Sequence, residues 1–167
     1  MGTKGSSSIM NMLLGSVART FIENSKIPIL AIPESLKCQL HGNKILLALD
    51  SKGIDNDHSI NLLKQFNLLS DVSIDVFHVI IPYEKVTLNI KTGKLIGVVD
   101  KIIEVGGIDP VAEIKKYVDN NDIGILAMVG RKHTFLERTF VESNTISELF
   151  ASNIPVLILP DHNNAII

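Results

Sequence analysis

The run Gly130-Arg131-Lys132-His133 is the densest grouping of side chains that could meet a phosphate. Guanidinium, ammonium and imidazole donors in succession can hold an anion through charge-assisted hydrogen bonds, and the glycine ahead of them lets main-chain N–H groups approach. A solvated basic loop is the simpler account of the same residues and is preferred. A second grouping is acidic: Asp50, Asp55 and Asp57 lie within DSKGIDND. Three carboxylates this close could hold a divalent ion, but their spacing departs from that of a calcium loop, and helix capping with solvation explains them. Cys38 and His41 have a metal-like spacing but no second pair to complete four ligands, so no metal is expected. His41, His58, His78 and His162 are scattered, and His78, inside a strand-like run, reads as a packed, hydrogen-bonded residue. There is no Gly-x-Ser-x-Gly elbow, HExxH or Walker loop, and no Ser/His/Asp set assembles. No defined catalytic reaction follows from these residues.

The elements that must position them are legible from hydrophobic patterning. Ile123 to Val129 and Ile154 to Pro160 are continuous apolar runs rich in Ile, Val and Leu. Such runs suit strands covered on both faces, the habit of parallel sheets. The loop opening at Gly130 therefore leaves the carboxyl end of a buried strand and starts a helix, which is where open α/β sheets bind ligands. Upstream the same alternation recurs. Lys44 to Leu49 is a strand ending at Asp50, and Asn56 or Asp57 caps a helix over His58 to Leu69, with Leu62, Leu63, Phe66 and Leu69 toward the sheet. Ser73 to Ile81 is a second strand, and Lys101 to Val105 is a third, broken by Gly106-Gly107. Asp109 as N-cap and Pro110 in the first turn open a helix whose buried stripe is Val111, Ile114, Tyr117 and Val118, and Asn120, Asn121 and Asp122 end it. Residues 84–99 admit two readings. Val86 to Ile90 and Leu95 to Val99 form a hairpin about Lys91 to Lys94, or Lys94 to Val99 forms a short helix.

Composition bounds the class. A chain of 167 residues with 46% hydrophobic content and a net charge of −2 can bury one full core. That charge gives no electrostatic drive toward nucleic acid, and 5% aromatic residues leave too few for stacking platforms. No apolar run reaches the ~18 residues of a membrane span, and no signal-peptide pattern opens the chain. The single cysteine, Cys38, excludes an internal disulfide framework. A cytoplasmic protein with neither nucleic-acid nor membrane partners is expected.

The chain also repeats itself. Ile27 to Pro33 is IPILAIP and Ile154 to Pro160 is IPVLILP, 127 positions later. Each follows a helix-length segment, Ile9 to Asn24 in the first copy, and each helix follows a glycine opening, Gly2-Thr3-Lys4 or Gly130-Arg131-Lys132. Pro28 and Pro33 suit the first of these strands to a sheet edge.

With these residues in view, the chain resembles the universal stress protein family. Nucleotide-binding members of that family carry Gly-x2-Gly-x9-Gly-Ser/Thr after the fourth strand, and Gly2, Gly5, Gly15 and Ser16 match the pattern in full. The resemblance implies a doubly wound, mainly parallel five-stranded α/β sheet over residues 43–160, preceded by a loop, helix and strand at 1–33 that look like the end of an earlier unit. Residues 34–42 would link the two and 161–167 would form a tail. On this reading Met1 is the counterpart of Val129, and a fragment, a mis-assigned start and a degraded gene are open alternatives. In the complete unit the motif decays: Gly130 stays, His133 replaces the second glycine, and Ser143-Asn144 stand at the Gly-Ser/Thr position. Asp50 matches the family's aspartate near the adenosine moiety, and Val79 and Ile80 match its base contact. The implied site thus comprises Asp50, Val79, Gly130, Arg131, His133, Ser143 and Asn144, with ATP or AMP as ligand and the base end better kept than the phosphate end. The resemblance further implies a homo-oligomer, a dimer through Ile27 to Pro33 and Ile154 to Pro160, although these two strands could also pair within one chain. The leading expectation is a non-enzymatic stress-response or regulatory protein with weak or lost nucleotide binding. The other is an ATP- or AMP-binding relative with slow or no hydrolysis.

Overall fold

The computed structural model describes residues 2–3, 26–33, 36, 42–68, 71–82, 93–130 and 154–160. In chain order the strands are β1 (Gly2–Thr3), β2 (Ile29–Pro33), β3 (Lys44–Leu49), β4 (Ser73–Ile80), β5 (Lys101–Gly106), β6 (Ile125–Gly130) and β7 (Val156–Pro160). The helices described are α1 (Asp57–Leu68) and α2 (Pro110–Asn120). Side by side the strands run β1-β2-β7-β6-β3-β4-β5. The five from β7 to β5 are parallel to one another. This is the doubly wound sheet that the alternation of elements predicts. β2 adds antiparallel to β7, and the two residues of β1 pair parallel with β2.

Each apolar strand feeds both faces. Leu46 and Ala48 of β3 pack with Val111, Ile114 and Val118 of α2, while Ile45, Leu47 and Leu49 pack with Ile60 and Leu63 of α1. Burying a side chain of this size is worth roughly 1.5–3 kcal/mol, so a central strand apolar on both sides anchors two layers at once. It also leaves the facing of β3 weakly specified by hydrophobicity alone, because a one-residue slip would expose nothing polar in mid-strand. Charge supplies the missing instruction: Lys44 Nζ lies 3.2 Å from Oδ2 of the buried Asp75 on β4. Phe77 and Tyr117, with ring centroids 4.9 Å apart, fasten α2 to the same face.

The helix starts follow local chemistry. Asn56, not Asp57, caps α1, since its Oδ1 accepts from Ser59 N at 2.9 Å. Asp109 caps α2, accepting from Val111 N at 2.9 Å and Ala112 N at 3.2 Å. Strand ends fall within two residues of expectation. β6 begins at Ile125 because Ile123 N is still bonded to Asn121 O in the turn before it.

Residues 93–99 are neither strand nor helix. Ile96 N bonds Gly93 O, and Val98 N and Val99 N bond Leu95 O, so the backbone winds in tight turns, with Gly97 at φ +75° preventing a helix from propagating. Leu95 to Val99 is therefore not the second arm of a hairpin. Leu95 and Val98 are instead buried against the α1 face. The expected strand Val86 to Ile90, the helix Ile9 to Asn24 and the helix between Gly130 and Ile154 lie outside the described residues.

Candidate functional site

Parallel strands bring their carboxyl ends to one edge of the sheet, and there the structure gathers Asp50, Val79 and Gly130. β3 and β6 are neighbours, with Ala48 opposite Met128, so Asp50 and Gly130 leave the sheet side by side, each two positions further on. Gly130 is the last residue of β6 and stands opposite Pro160. Asp50 is half-buried and shapes its own turn: its Oδ1 accepts from Lys52 N at 3.1 Å and its carbonyl from Gly53 N at 3.0 Å. A carboxylate so placed can accept from the hydroxyl or amino donors of a ligand.

Val79 is on β4, next to β3, and belongs to the core layer that contains α2. It lies close under Gly107, where an added Cβ would stand 3.2 Å from Val79 Cγ1 and 2.7 Å from Glu113 Cγ. The glycine pair Gly106-Gly107 reads in the sequence as a strand stop. The structure gives Gly107 a further reason, since a side chain there would have to displace the Glu113 side chain and press on Val79. Ile80, the other candidate base contact, faces the opposite side and is exposed.

Two buried polar side chains brace this edge, and neither is apparent from motif reading. Ser59, in the first turn of α1, donates from Oγ to the carbonyl of Pro160 at 2.9 Å, beside Gly130. His78, 2% exposed, has Nδ1 3.0 Å from the carbonyl of Leu49, the residue before Asp50. A carbonyl only accepts, so Nδ1 carries the hydrogen. The Ser59 hydroxyl and His78 Nδ1 each engage a main-chain carbonyl and not one another among the described residues. No group of three His, Cys, Asp or Glu side chains that could hold a metal occurs among them either.

Arg131, His133, Ser143, Asn144, Gly5, Gly15 and Ser16 lie outside the described residues, so the structure does not bring them to this edge or away from it. Gly2 is described, in β1. It pairs with Ile32, and Thr3 with Pro33, as Val129 pairs with Leu159 and Gly130 with Pro160. In ladder register Thr3 is thus the counterpart of Gly130, one residue from the match made on the glycine motif. A groove of about 370 Å³ beside Ile96, Gly97 and Ile102 lies at the amino end of β5, the opposite end of the sheet from Asp50 and Gly130.

No protein-family model matches the chain, and no curated protein does. Solved structures do. A universal stress protein from Archaeoglobus fulgidus DSM 4304 superposes with a TM-score of 0.63 at 19% identity, over 98% of this chain and 60% of that one. A protein of unknown function from Pseudomonas aeruginosa PAO1 gives 0.60 at 14% identity, over 96% of this chain and 62% of that one. A putative universal stress protein from Pseudomonas aeruginosa UCBPP-PA14 gives 0.58 at 16% identity, again over 96% and 62%. The chain spans about three fifths of the length of these structures. At such identities the likeness is one of architecture, and the architecture is that of the universal stress proteins.

Proposed function

We propose that this chain is a cytoplasmic regulatory protein of the universal stress type, which binds the adenosine part of adenine nucleotides weakly, catalyses no reaction and acts through self-association and protein partners. The observation that carries the reading is the pairing of strand ends: Asp50 and Gly130 emerge side by side on β3 and β6 at the carboxyl edge, with Val79 on the next strand. This matches the base-end residues of the family that the sequence resembles. The phosphate end is weaker by sequence, because His133 and Ser143 stand where glycines would let main-chain N–H groups close on an anion. Among the described residues no helix is long and apolar enough to cross a membrane.

Thermal unfolding with adenosine, AMP and ATP tests this. A ligand of the native state raises the melting temperature, by about 1.4 kcal/mol at ten times its Kd, or about 3–5 °C for a chain of this size. Adenosine, AMP and ATP are expected to act alike, at millimolar concentration. ATP binding tenfold or more tighter than adenosine would favour the ATP-binding reading, and no response to any of the three would remove nucleotide from the function.

A further inference from the structure

We infer that His78 is the positioning residue of the proposed base end, holding Asp50 in place through the carbonyl of Leu49; this rests on the adenosine-binding reading above. Four observations converge on it. The imidazole is 2% exposed. Its Nδ1 donates to Leu49 O at 3.0 Å, across from β4 to β3. Leu49 and His78 are direct partners in the ladder and form the last pair of these two strands, so the bond sits where the strands part. The residue after Leu49 is Asp50 and the residue after His78 is Val79, so one side-chain bond ties together the backbones that carry both base-end residues.

The physical reasoning concerns what happens to a strand at its end. Beyond the last pair of a parallel ladder the chain turns away and main-chain bonds no longer hold it, so a side-chain donor on that pair's carbonyl adds a tie where the ladder stops. A side chain that supplies the donor without water fixes the direction in which the next residue departs. Here the next residue closes its own turn, Asp50 Oδ1 on Lys52 N and Asp50 O on Gly53 N. Losing the imidazole donor removes this side-chain tie at the end of the ladder and loosens the turn, which moves the Asp50 carboxylate relative to Val79 and Gly130.

The replacement series separates this role from simple packing. An Asn at this position presents its side-chain N–H close to where Nδ1 stands, whereas a Gln presents it near Nε2, and Leu offers no donor. Adenosine affinity by calorimetry and hydrogen exchange at the Lys52 and Gly53 amides are measured on each full-length variant. The expected pattern is that His78→Asn stays within about threefold of the wild-type Kd and keeps both amides protected, while His78→Leu and His78→Gln weaken adenosine about tenfold or more and speed exchange at both amides. Wild-type affinity and protection in His78→Leu would overturn the inference while leaving adenosine binding intact. Rescue by Gln but not Asn would also overturn it, by assigning the role to Nε2. If the wild-type protein does not respond to adenosine, the base-end reading fails, and His78 then positions Asp50 for no adenosine site, whichever way the exchange data fall.

Discussion

Gly42, just ahead of β3, is fixed as glycine by a contact distant in the sequence. Its φ is +81°, and an added Cβ would stand 2.6 Å from the carbonyl oxygen of Asp122. The left-handed conformation alone costs an L-residue about 1–2 kcal/mol, and a backbone oxygen cannot rotate aside as a side chain can. Gly42→Ala is therefore expected to lower stability by at least about 1–2 kcal/mol, read as a fall in the urea midpoint with an unchanged m-value. At Gly107 the obstacle is the flexible Glu113 side chain and φ is not left-handed, so the same substitution should be milder. What was legible at this scale divides cleanly. Asp50 could be singled out because it ends an apolar run where the resembled family has its aspartate, whereas Asp109-Pro110 announces a helix start by local sequence alone. His78 could be read only as a packed, hydrogen-bonded residue, because its partner Leu49 is 29 positions away and the bond exists only once β3 and β4 are in register. Gly42 carried no signal for the same reason: the atom that forbids a side chain belongs to Asp122.

At the scale of elements, the turn over 93–99 and the loop before α1 depend on one cation. Lys94 Nζ reaches Asp55 Oδ1 and Asp57 Oδ1, each at 2.8 Å, and the carbonyl of Asp55 at 3.0 Å. The hydrogen bond from Lys94, and then its charge, hold the Asp57 carboxyl below the ordinary 3.8. Hydrogen bonds to Asp55 and then Asp57 raise Lys94 above 10.5. The signs then set a window. A depressed carboxylate contributes stability above its unfolded value and loses it as pH falls through the folded one, while a raised lysine contributes fully below its unfolded value and loses it as pH rises through the folded one. Lys94→Met should thus lower the urea midpoint slightly at neutral pH, with the gap closing as the pH falls below the ordinary 3.8 of the carboxylate and as it rises above the ordinary 10.5 of the lysine. Because all three side chains are exposed, the gap should also shrink in 1 M salt. A gap that persisted at both pH extremes would mean that the lysine stem, not its charge, joins the two segments. This tie explains why residues 93–99 resisted reading. Alternation and helix periodicity score short segments by their own pattern, whereas here Leu95 and Val98 are pinned by the α1 layer and Lys94 by the loop ahead of it.

For the molecule as a whole, the informative feature is the seam between β2 and β7. Ile29 faces Ile158, Leu30 faces Leu157 and Ala31 faces Val156, which is an isologous pairing centred on Leu30 and Leu157 once the two IPxLxxP copies are superposed. The repeat seen in the sequence is thus a local twofold in the sheet, and the intrachain option for these two strands is the one adopted. The twofold does not extend to burial. Leu157 and Leu159 are 3% and 0% exposed, within the layer that holds Ile60 and Leu63 of α1, while their counterparts Leu30 and Ile32 are 36% and 39% exposed. Two aliphatic side chains that one copy buries are left partly exposed by the other, and at ~25 cal/mol per Å² covering them favours association. The self-association in the proposed function is expected through this face, with a second copy of the chain supplying the cover. Light scattering on micromolar protein should give at least a dimer mass, and the pair Leu30→Lys and Ile32→Lys should reduce it to a monomer with the circular dichroism spectrum unchanged. Both positions lie on β2 with side chains pointing away from the α2 layer, so the substitutions spare the Ile29 and Ala31 contacts that hold β2 to the core. A monomeric wild-type mass would instead mean that this edge tolerates its exposed leucine and isoleucine alone, and the self-association part of the proposed function would fall with it.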